Sequence, residues 1–239
     1  MLILFDVDAT LITTSRLGIA AMGCAGREQF GDHFNENTVE YAGRLDPLII
    51  ADLLAAHDQP ATPDTINTFH AGYRTHLARL LAEKNTAKTC PGVPQLLDAL
   101  FAIETLTIGL LTGNFPDTGR IKLTAAGIDT DRFHIHIWGN DSPHTPPARD
   151  HLPGVALQRY QALHTRHADP SRTWIVGDTP HDIACAKAHN CRSLGVATGM
   201  FTSEQLTAAG ACHAAEDLSD TDEIVGVLTG HPCTPRMSR

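Results

Sequence analysis

Hydrophobic and polar positions fall along the chain in blocks of two kinds. Short, largely apolar runs are typical of strands buried on both faces of a sheet, and they cover 2–7, 106–111, 173–176 and 192–197, with a further candidate strand at 133–138. Amphipathic stretches with the apolar spacing of helices separate or follow them, at 93–102, 116–126, 152–164 and 180–189. This alternation of strands and helices predicts an α/β fold with a doubly wound parallel sheet.

The segment between the first strand and the rest of the sheet has a different pattern. Residues 14–84 contain no strand-like run, and the apolar spacing at 63–81 is that of a helix. A second helix is predicted to begin with Asp46 as its N-cap and Pro47 as its first residue. We therefore expect an inserted all-helical domain, which we call the cap.

Topology sets the expected domain boundaries. The first strand must join the sheet across the cap, so the cap has to lie outside the sheet, above its carboxyl edge. Its connections near 13–15 and 85–91 are short polar or Pro/Gly-containing segments, suited to act as the hinges of a lid. The predicted units are a core of 1–13 plus 85–229, a cap of 14–84 and a frayed tail of 230–239.

Composition narrows the classes of partner. The chain has 239 residues, with 18 Lys plus Arg against 27 Asp plus Glu, and a formal charge of −9. So acidic a protein is a poor candidate for binding nucleic acid or an anionic membrane surface. No apolar run approaches the ~20 residues of a membrane span. Without a visible signal peptide or CxxC pair, we expect a cytoplasmic monomer or homodimer with reduced thiols.

Acids and a hydroxyl follow three of the predicted strands. In chain order they are Asp6 and Asp8, Thr112, and Asp178 and Asp182. Ligands of open α/β sheets bind beyond the carboxyl ends of the strands, so we expect these side chains to meet there. Carboxylates gathered at one point repel each other strongly unless a cation lies between them. Oxygen ligands are those that Mg²⁺ prefers, and Mg²⁺ often binds a substrate phosphate as well.

These residues, in this order, resemble the motifs of the haloacid dehalogenase superfamily on its phosphatase side. Asp6-x-Asp8-x-Thr10 resembles motif one, Thr112 motif two, and Gly177-Asp178-x-x-x-Asp182 motif four. Residues 90–97 resemble the return from a helical cap, and 42–46 resemble a cap motif of phosphoglycolate-phosphatase-like members. The resemblance implies a Rossmann-like core with a C1-type cap, and a Mg²⁺-dependent phosphatase acting on a small phosphorylated metabolite.

The same resemblance implies roles for the acids. Asp6 would attack phosphorus and form an aspartyl-phosphate. Asp8 would protonate the leaving alcohol and then accept a proton from the hydrolytic water. The implied Mg²⁺ ligands are Asp6, Asp8 through its backbone carbonyl, and Asp178, with Asp182 as a further ligand or a contact of one.

Other groups are implied to bind the substrate. Thr112 and the amide of Gly113 would donate to the phosphoryl oxygens, and Asn114 and Arg44 are further candidate contacts. The family also needs a cation between motifs two and four. Arg149 lies just before a predicted helix and resembles a subgroup that has arginine there. A guanidinium can bind phosphate through two parallel hydrogen bonds.

The choice of cation leaves alternatives open. Only four of the basic residues are lysines, which favours an arginine for this role. Lys122 comes too early in the chain, inside the helix that follows motif two, and is set aside. Arg132 and Arg159 stay open as alternatives to Arg149.

Some positions depart from the family pattern or have a purely structural interpretation. Ala9 stands where the family has glycine, so it must adopt a conformation that alanine tolerates or accept strain. Leu45 stands where a small hydroxyl residue is common, which bears on substrate identity. Asp182 fits a capping-box acid for a helix that begins after Thr179. Asp46 fits an N-cap better than a substrate contact.

Competing functions remain within and outside the superfamily. Dehalogenases and phosphonate hydrolases lack the second acid of motif one, so Asp8 disfavours both. A phosphosugar mutase that shares this cap is one alternative, and a non-catalytic metal-binding regulatory module is another. A zinc site at His134 and His136 is disfavoured, because the sequence has no HExxH motif or Cys/His quartet.

Overall fold

The architecture was derived from a computed structural model that describes residues 1–230. The predicted tail of 230–239 lies outside the described residues except for Gly230. The strands are β1 (Leu2–Phe5), β2 (Ile12–Thr13), β3 (Lys88–Thr89), β4 (Thr107–Leu111), β5 (Ile135–Ile137), β6 (Thr173–Gly177), β7 (Arg192–Val196) and β8 (His213–Ala215). The α-helices are α1 (Leu17–Phe30), α2 (Asp46–Ala56), α3 (Pro63–Lys84), α4 (Val93–Phe101), α5 (Pro116–Ala125), α6 (Leu152–His164), α7 (Pro180–Ala188), α8 (Ser203–Ala209) and α9 (Thr221–Thr229).

A six-stranded parallel sheet forms the centre of the fold, in the order β5-β4-β1-β6-β7-β8. The N-terminal strand lies in the middle because its residues are apolar on both faces and completely buried. Ile3 and Phe5 pack with α4 and α9 on one face, and Leu2 and Leu4 pack with α6 and α7 on the other. The predicted doubly wound α/β fold is therefore confirmed.

The strand ends differ slightly from the sequence prediction. β1 ends at Phe5 rather than Val7, although the Asp6 amide still donates to the carbonyl of Val176 at 2.9 Å. The chain then turns, and the amides of Leu11 and Ile12 both donate to the Val7 carbonyl. Asp6 and Asp8 thus lie just beyond the carboxyl end of the central strand instead of within it.

The C-terminal elements α8, β8 and α9 were not predicted. The edge strand β8 has the sequence His-Ala-Ala and is only half-buried. It gives no apolar run, so the hydrophobic pattern that found the central strands could not find it.

The helical segment between β2 and β3 has an apolar cluster of its own. α1 contributes Ala21 and Met22, α2 contributes Ile50 and Leu53, and α3 contributes Phe69, with others around them. The two connections to the sheet pair with each other as the short antiparallel ladder β2–β3. None of the helices within residues 1–230 is long and apolar enough to cross a membrane.

Asp46 is not the N-cap that the sequence predicted. α2 begins at Asp46 itself, with Leu45 in the N-cap position. The Asp46 amide donates to the Gly113 carbonyl at 2.7 Å, and its carboxylate accepts from the Phe115 amide at 3.2 Å. Gly113 and Phe115 belong to the loop after β4, so this side chain joins the cap to the core instead of closing its own helix.

We predict that Asp46→Ala loosens the contact between cap and core. The Phe115 amide would lose its acceptor in a buried place, which costs about 1–3 kcal/mol. Amide hydrogen exchange of α2 and of 85–91 should become faster, and limited proteolysis should cut near 13–15 or 85–91. Asp46→Asn keeps an acceptor and serves as the control. Unchanged exchange in Asp46→Ala would show that the cap is held by other contacts.

Candidate active site

Loops after three neighbouring strands converge at the carboxyl edge of the sheet, as the sequence predicted. Asn114, in the loop after β4, donates through Nδ2 to Asp8 Oδ2 at 2.7 Å and to Thr112 Oγ1 at 2.8 Å. Thr10 Oγ1, in the loop after β1, is 3.4 Å from Asp178 Oδ1, in the loop after β6. Residues far apart in the chain therefore share one pocket.

Three buried carboxylates lie together in this pocket. Asp6, Asp178 and Asp182 each offer an oxygen within 4.8 Å of the other two. Burial, opposed by Arg149 and reinforced by Asp182, raises the pKa of Asp6 to about 6. Burial and the charges of Asp6 and Asp182 raise the pKa of Asp178 to about 8. A hard divalent cation would relieve this repulsion, and the all-oxygen donor set fits Mg²⁺.

Both carboxylate oxygens of Asp182 accept hydrogen bonds. Its Oδ1 accepts from Arg149 Nη2 at 2.6 Å. Its Oδ2 accepts from the Thr179 amide at 3.1 Å and from Thr179 Oγ1 at 2.7 Å. The predicted capping contact at the start of α7 is therefore present, and the same carboxylate orients Arg149. A role as a direct metal ligand stays a prediction.

Arg149 lies in a short 3-10 turn before α6 and is buried beside the acids. Its Nη2 is 3.0 Å from Asp6 Oδ1. Its Nε is a buried donor with no hydrogen-bond partner among residues 1–230. The two arginines left open by the sequence lie elsewhere, Arg132 on Asp98 at 2.8 Å and Arg159 on Asp141 at 2.6 Å. An unsatisfied buried donor is costly, so this atom is available for an oxygen of a bound substrate.

Lys122 also reaches the site, although its place early in the chain predicted otherwise. Its side chain extends from α5, and its Nζ lies 2.8 Å from Asp8 Oδ2 and 2.5 Å from Asn114 Oδ1. Burial alone would lower the pKa of Lys122, but the neighbouring charges, that of Asp8 foremost, raise it overall. A signal was present in the sequence, because Lys122 shares the buried face of α5 with Thr118 and Leu123.

The cap closes the pocket from above. The cavity is about 350 Å³ and is bordered by Asp6 and Asp178 from the core and by cap residues such as Ile49 and Tyr73. Arg44 borders it too, with its Nη2 2.5 Å from Asp52 Oδ2 of the same cap. Gly113 lies so near the cap that a Cβ there would be 2.0 Å from the Arg44 carbonyl oxygen. A residue with a side chain at position 113 would push the cap away.

Comparison with known proteins agrees with this arrangement. The haloacid dehalogenase-like hydrolase profile matches residues 3–196, which is most of the chain. The chain belongs to the haloacid dehalogenase-like hydrolase family. A pyrophosphatase, PpaX, of Oceanobacillus iheyensis is 28% identical over 224 residues, which cover 94% of this chain and 96% of the relative.

Solved structures share the fold of this hydrolase. A hydrolase from Pseudomonas syringae superposes with a TM-score of 0.71 at 21% identity, covering 95% of this chain and 98% of that one. A predicted phosphoglycolate phosphatase from Haemophilus somnus superposes with a TM-score of 0.67 at 21% identity, covering 94% and 97%. At such identities the likeness concerns the fold alone.

The family has a glycine between the second acid of motif one and the following threonine, and this chain has Ala9 there. Its φ is 58°, in the left-handed region that favours glycine. The turn is fixed on both sides, because the Ala9 amide donates to the Ile12 carbonyl and the Thr198 hydroxyl donates to the Ala9 carbonyl. Alanine is therefore held in a strained conformation.

Relief of this strain gives a stability prediction. A left-handed conformation costs a non-glycine residue about 1–2 kcal/mol, whereas glycine loses about 0.5–1 kcal/mol more entropy on folding. Ala9→Gly should therefore leave the melting temperature unchanged or raise it by a few degrees. Ala71→Gly, in the exposed middle of α3, should lower it. Equal losses in both variants would contradict a strained Ala9.

Proposed function

We propose that this hydrolase is a Mg²⁺-dependent phosphatase that acts on a small phosphorylated metabolite through an aspartyl-phosphate on Asp6. The observation that carries the proposal is the buried pair of Asp6 and Arg149, in which the guanidinium keeps one donor unpartnered. The names of the relatives, a pyrophosphatase and a predicted phosphoglycolate phosphatase, support the same class of substrate.

Asp6 is the proposed nucleophile. Arg149 Nη2 lies 3.0 Å from its Oδ1 and orients the carboxylate for in-line attack on phosphorus. The bond from phosphorus to the leaving oxygen breaks as the bond to Asp6 forms, and water later cleaves the aspartyl-phosphate to release inorganic phosphate. Mg²⁺, held by Asp6, Asp178 and the Asp8 carbonyl, with Asp182 in contact, would neutralise charge on the phosphoryl oxygens.

Asp8 is the proposed general acid and base. Its Oδ2 accepts from Asn114 Nδ2 and from Lys122 Nζ. Its Oδ1 accepts no hydrogen bond from any of residues 1–230, so it is available to the substrate. In the first step this group would give a proton to the leaving oxygen, and in the second it would take one from the attacking water.

The phosphoryl group would be bound by donors from two sides. Thr112 Oγ1 already accepts from Asn114 Nδ2, which leaves the hydroxyl proton for a phosphoryl oxygen. The Gly113 amide and Arg149 Nε are the other proposed donors. The cavity of about 350 Å³ suits a small substrate.

Phosphate release tests the proposal directly. We expect the purified chain to release inorganic phosphate from 4-nitrophenyl phosphate with Mg²⁺ and to lose this activity with EDTA. A panel that includes pyrophosphate and phosphoglycolate would rank natural substrates. Full activity in metal-free buffer would exclude the metal, and a need for a bisphosphate activator would indicate a mutase. No release from any ester or anhydride would favour a regulatory module.

Asp6→Asn should abolish turnover and leave the melting temperature nearly unchanged. The amide has the same shape but is not nucleophilic enough to form the acyl-phosphate. Asp98→Asn changes an exposed acid outside the site and is the matched control. Near-normal phosphate release by Asp6→Asn, with deamidation excluded by mass spectrometry, would show that another group attacks phosphorus.

Arg44→Ala should raise KM for the best natural substrate and barely change KM for 4-nitrophenyl phosphate. Arg44 borders the cavity from the cap, and its guanidinium is paired with Asp52 of the cap, so we expect it to contact the part of a substrate that reaches beyond the phosphoryl group. Arg79→Ala, which removes an exposed cap arginine paired with Glu83, is the control. A uniform change on both substrates, or none, would remove Arg44 from the recognition residues.

A further inference from the structure

Lys122 belongs to a closed ring of three polar side chains. Its Nζ is 2.8 Å from Asp8 Oδ2 and 2.5 Å from Asn114 Oδ1, and Asn114 Nδ2 donates to the same Asp8 oxygen at 2.7 Å. Two donors thus converge on Oδ2 and leave Oδ1 free. The ring fixes the carboxylate in one rotation, with its unpartnered oxygen turned away from Lys122 and Asn114.

The cap completes the surroundings of the ammonium group. A methyl group built on Gly18, in the first turn of α1, would lie 3.4 Å from both Cε and Nζ of Lys122 and 3.5 Å from the Tyr73 hydroxyl. The Lys122 side chain is only 6% exposed, although the side chain of its partner Asp8 is 44% exposed. A core residue that holds Asp8 is therefore covered by two cap helices.

Burial affects the strength of the ion pair between Lys122 and Asp8. Removing water strengthens an ion pair, because the effective dielectric falls as the site closes. A lysine that lost its partner there would carry a large desolvation cost. With the cap closed, Lys122 is therefore held firmly on Asp8, and with the cap raised, both groups can be hydrated separately.

We propose that Lys122 is a positioning residue, which fixes Asp8 with Oδ1 toward the reacting group once the cap has covered the ammonium. The inference rests on the proposed phosphatase function. It differs from a direct contact between Lys122 and the substrate, which the position of Lys122 on the cavity wall would also allow. The two roles differ in whether the effect of Lys122 depends on Asp8.

A double-mutant cycle separates these roles. Lys122→Met keeps the length of the side chain and removes its charge. On phosphoglycolate, whose leaving alkoxide needs a proton, it should lower kcat about tenfold or more and change KM by less than about threefold. In an Asp8→Asn background the same substitution should cost less than about threefold, because the group it positions is gone. Lys122→Arg should recover part of the lost kcat, and all variants should melt close to the wild type.

A second cycle tests the role of the cap and does not need activity from Asp8→Asn. Gly18→Leu places a bulky group against the ammonium and should lower kcat more than it raises KM. Lys122→Met added to Gly18→Leu should cost much less than it does alone. Lys187→Met removes an exposed lysine that donates to the Ala209 carbonyl and does not border the cavity, and it is the matched control.

The outcomes separate the inference from the proposed function. If the wild-type chain releases no phosphate, the phosphatase proposal fails. If it does release phosphate and Lys122→Met keeps full kcat, only the inference is wrong. Equal losses from Lys122→Met with and without Asp8 would assign Lys122 to direct substrate contact, and a lowered melting temperature with normal kcat would make it a structural ion pair.

Discussion

The concentration of buried carboxylates at one edge of the sheet is the constraint on which the rest of the site depends. Asp6, Asp178 and Asp182 approach within 4.8 Å of one another beyond the ends of β1 and β6. Parallel strands with short loops place these acids together whatever the cost of repulsion. The remainder of the site supplies positive charge and donors to carboxylates that could not otherwise stay buried.

The two buried cations serve different acids. Arg149 contacts Asp6 and Asp182, and Lys122 contacts Asp8. The proposed nucleophile and the proposed acid and base therefore have separate electrostatic partners. Lys122 lowers the pKa of Asp8 against the opposing effect of burial, whereas the pKa of Asp6 is raised to about 6. A cation bound among the three acids would lower the pKa of Asp6 again, as attack by an ionised carboxylate requires.

The sequence predicted the features that depend on a local pattern of residues, namely the buried strands and the acids at their ends. A buried strand is a run of apolar residues, and its end is marked by the first acid, so Asp6 and Asp178 could be placed without a structure. The position of Lys122 on one helix face with Thr118 and Leu123 indicated burial, but its contact with Asp8 depends on how α5 packs beneath the cap. Asp46 was mistaken for an N-cap for the same reason: local pattern favoured the helix start, but the tertiary contact with the Phe115 amide decided. Distance along the chain from a motif is thus a poor guide to distance from the site.

The contact between cap and core combines apolar and polar groups. Leu45 of the cap packs into the apolar cluster of the core, with Leu48 beside it. Phe115 of the core enters the apolar cluster of the cap, and the His70 ring stacks on it with centroids 3.8 Å apart. Around it, His70 Nε2 lies 2.8 Å from Asp117 Oδ1, and the Asp46 carboxylate accepts from the core. Burial raises the pKa of Asp46 to about 6, so its enclosure has a cost. If this contact opened, the polar groups would regain water, whereas Phe115 and Leu45 would lose their apolar cover. An interface that mixes apolar and polar contacts opposes opening less than a purely apolar one of equal area would.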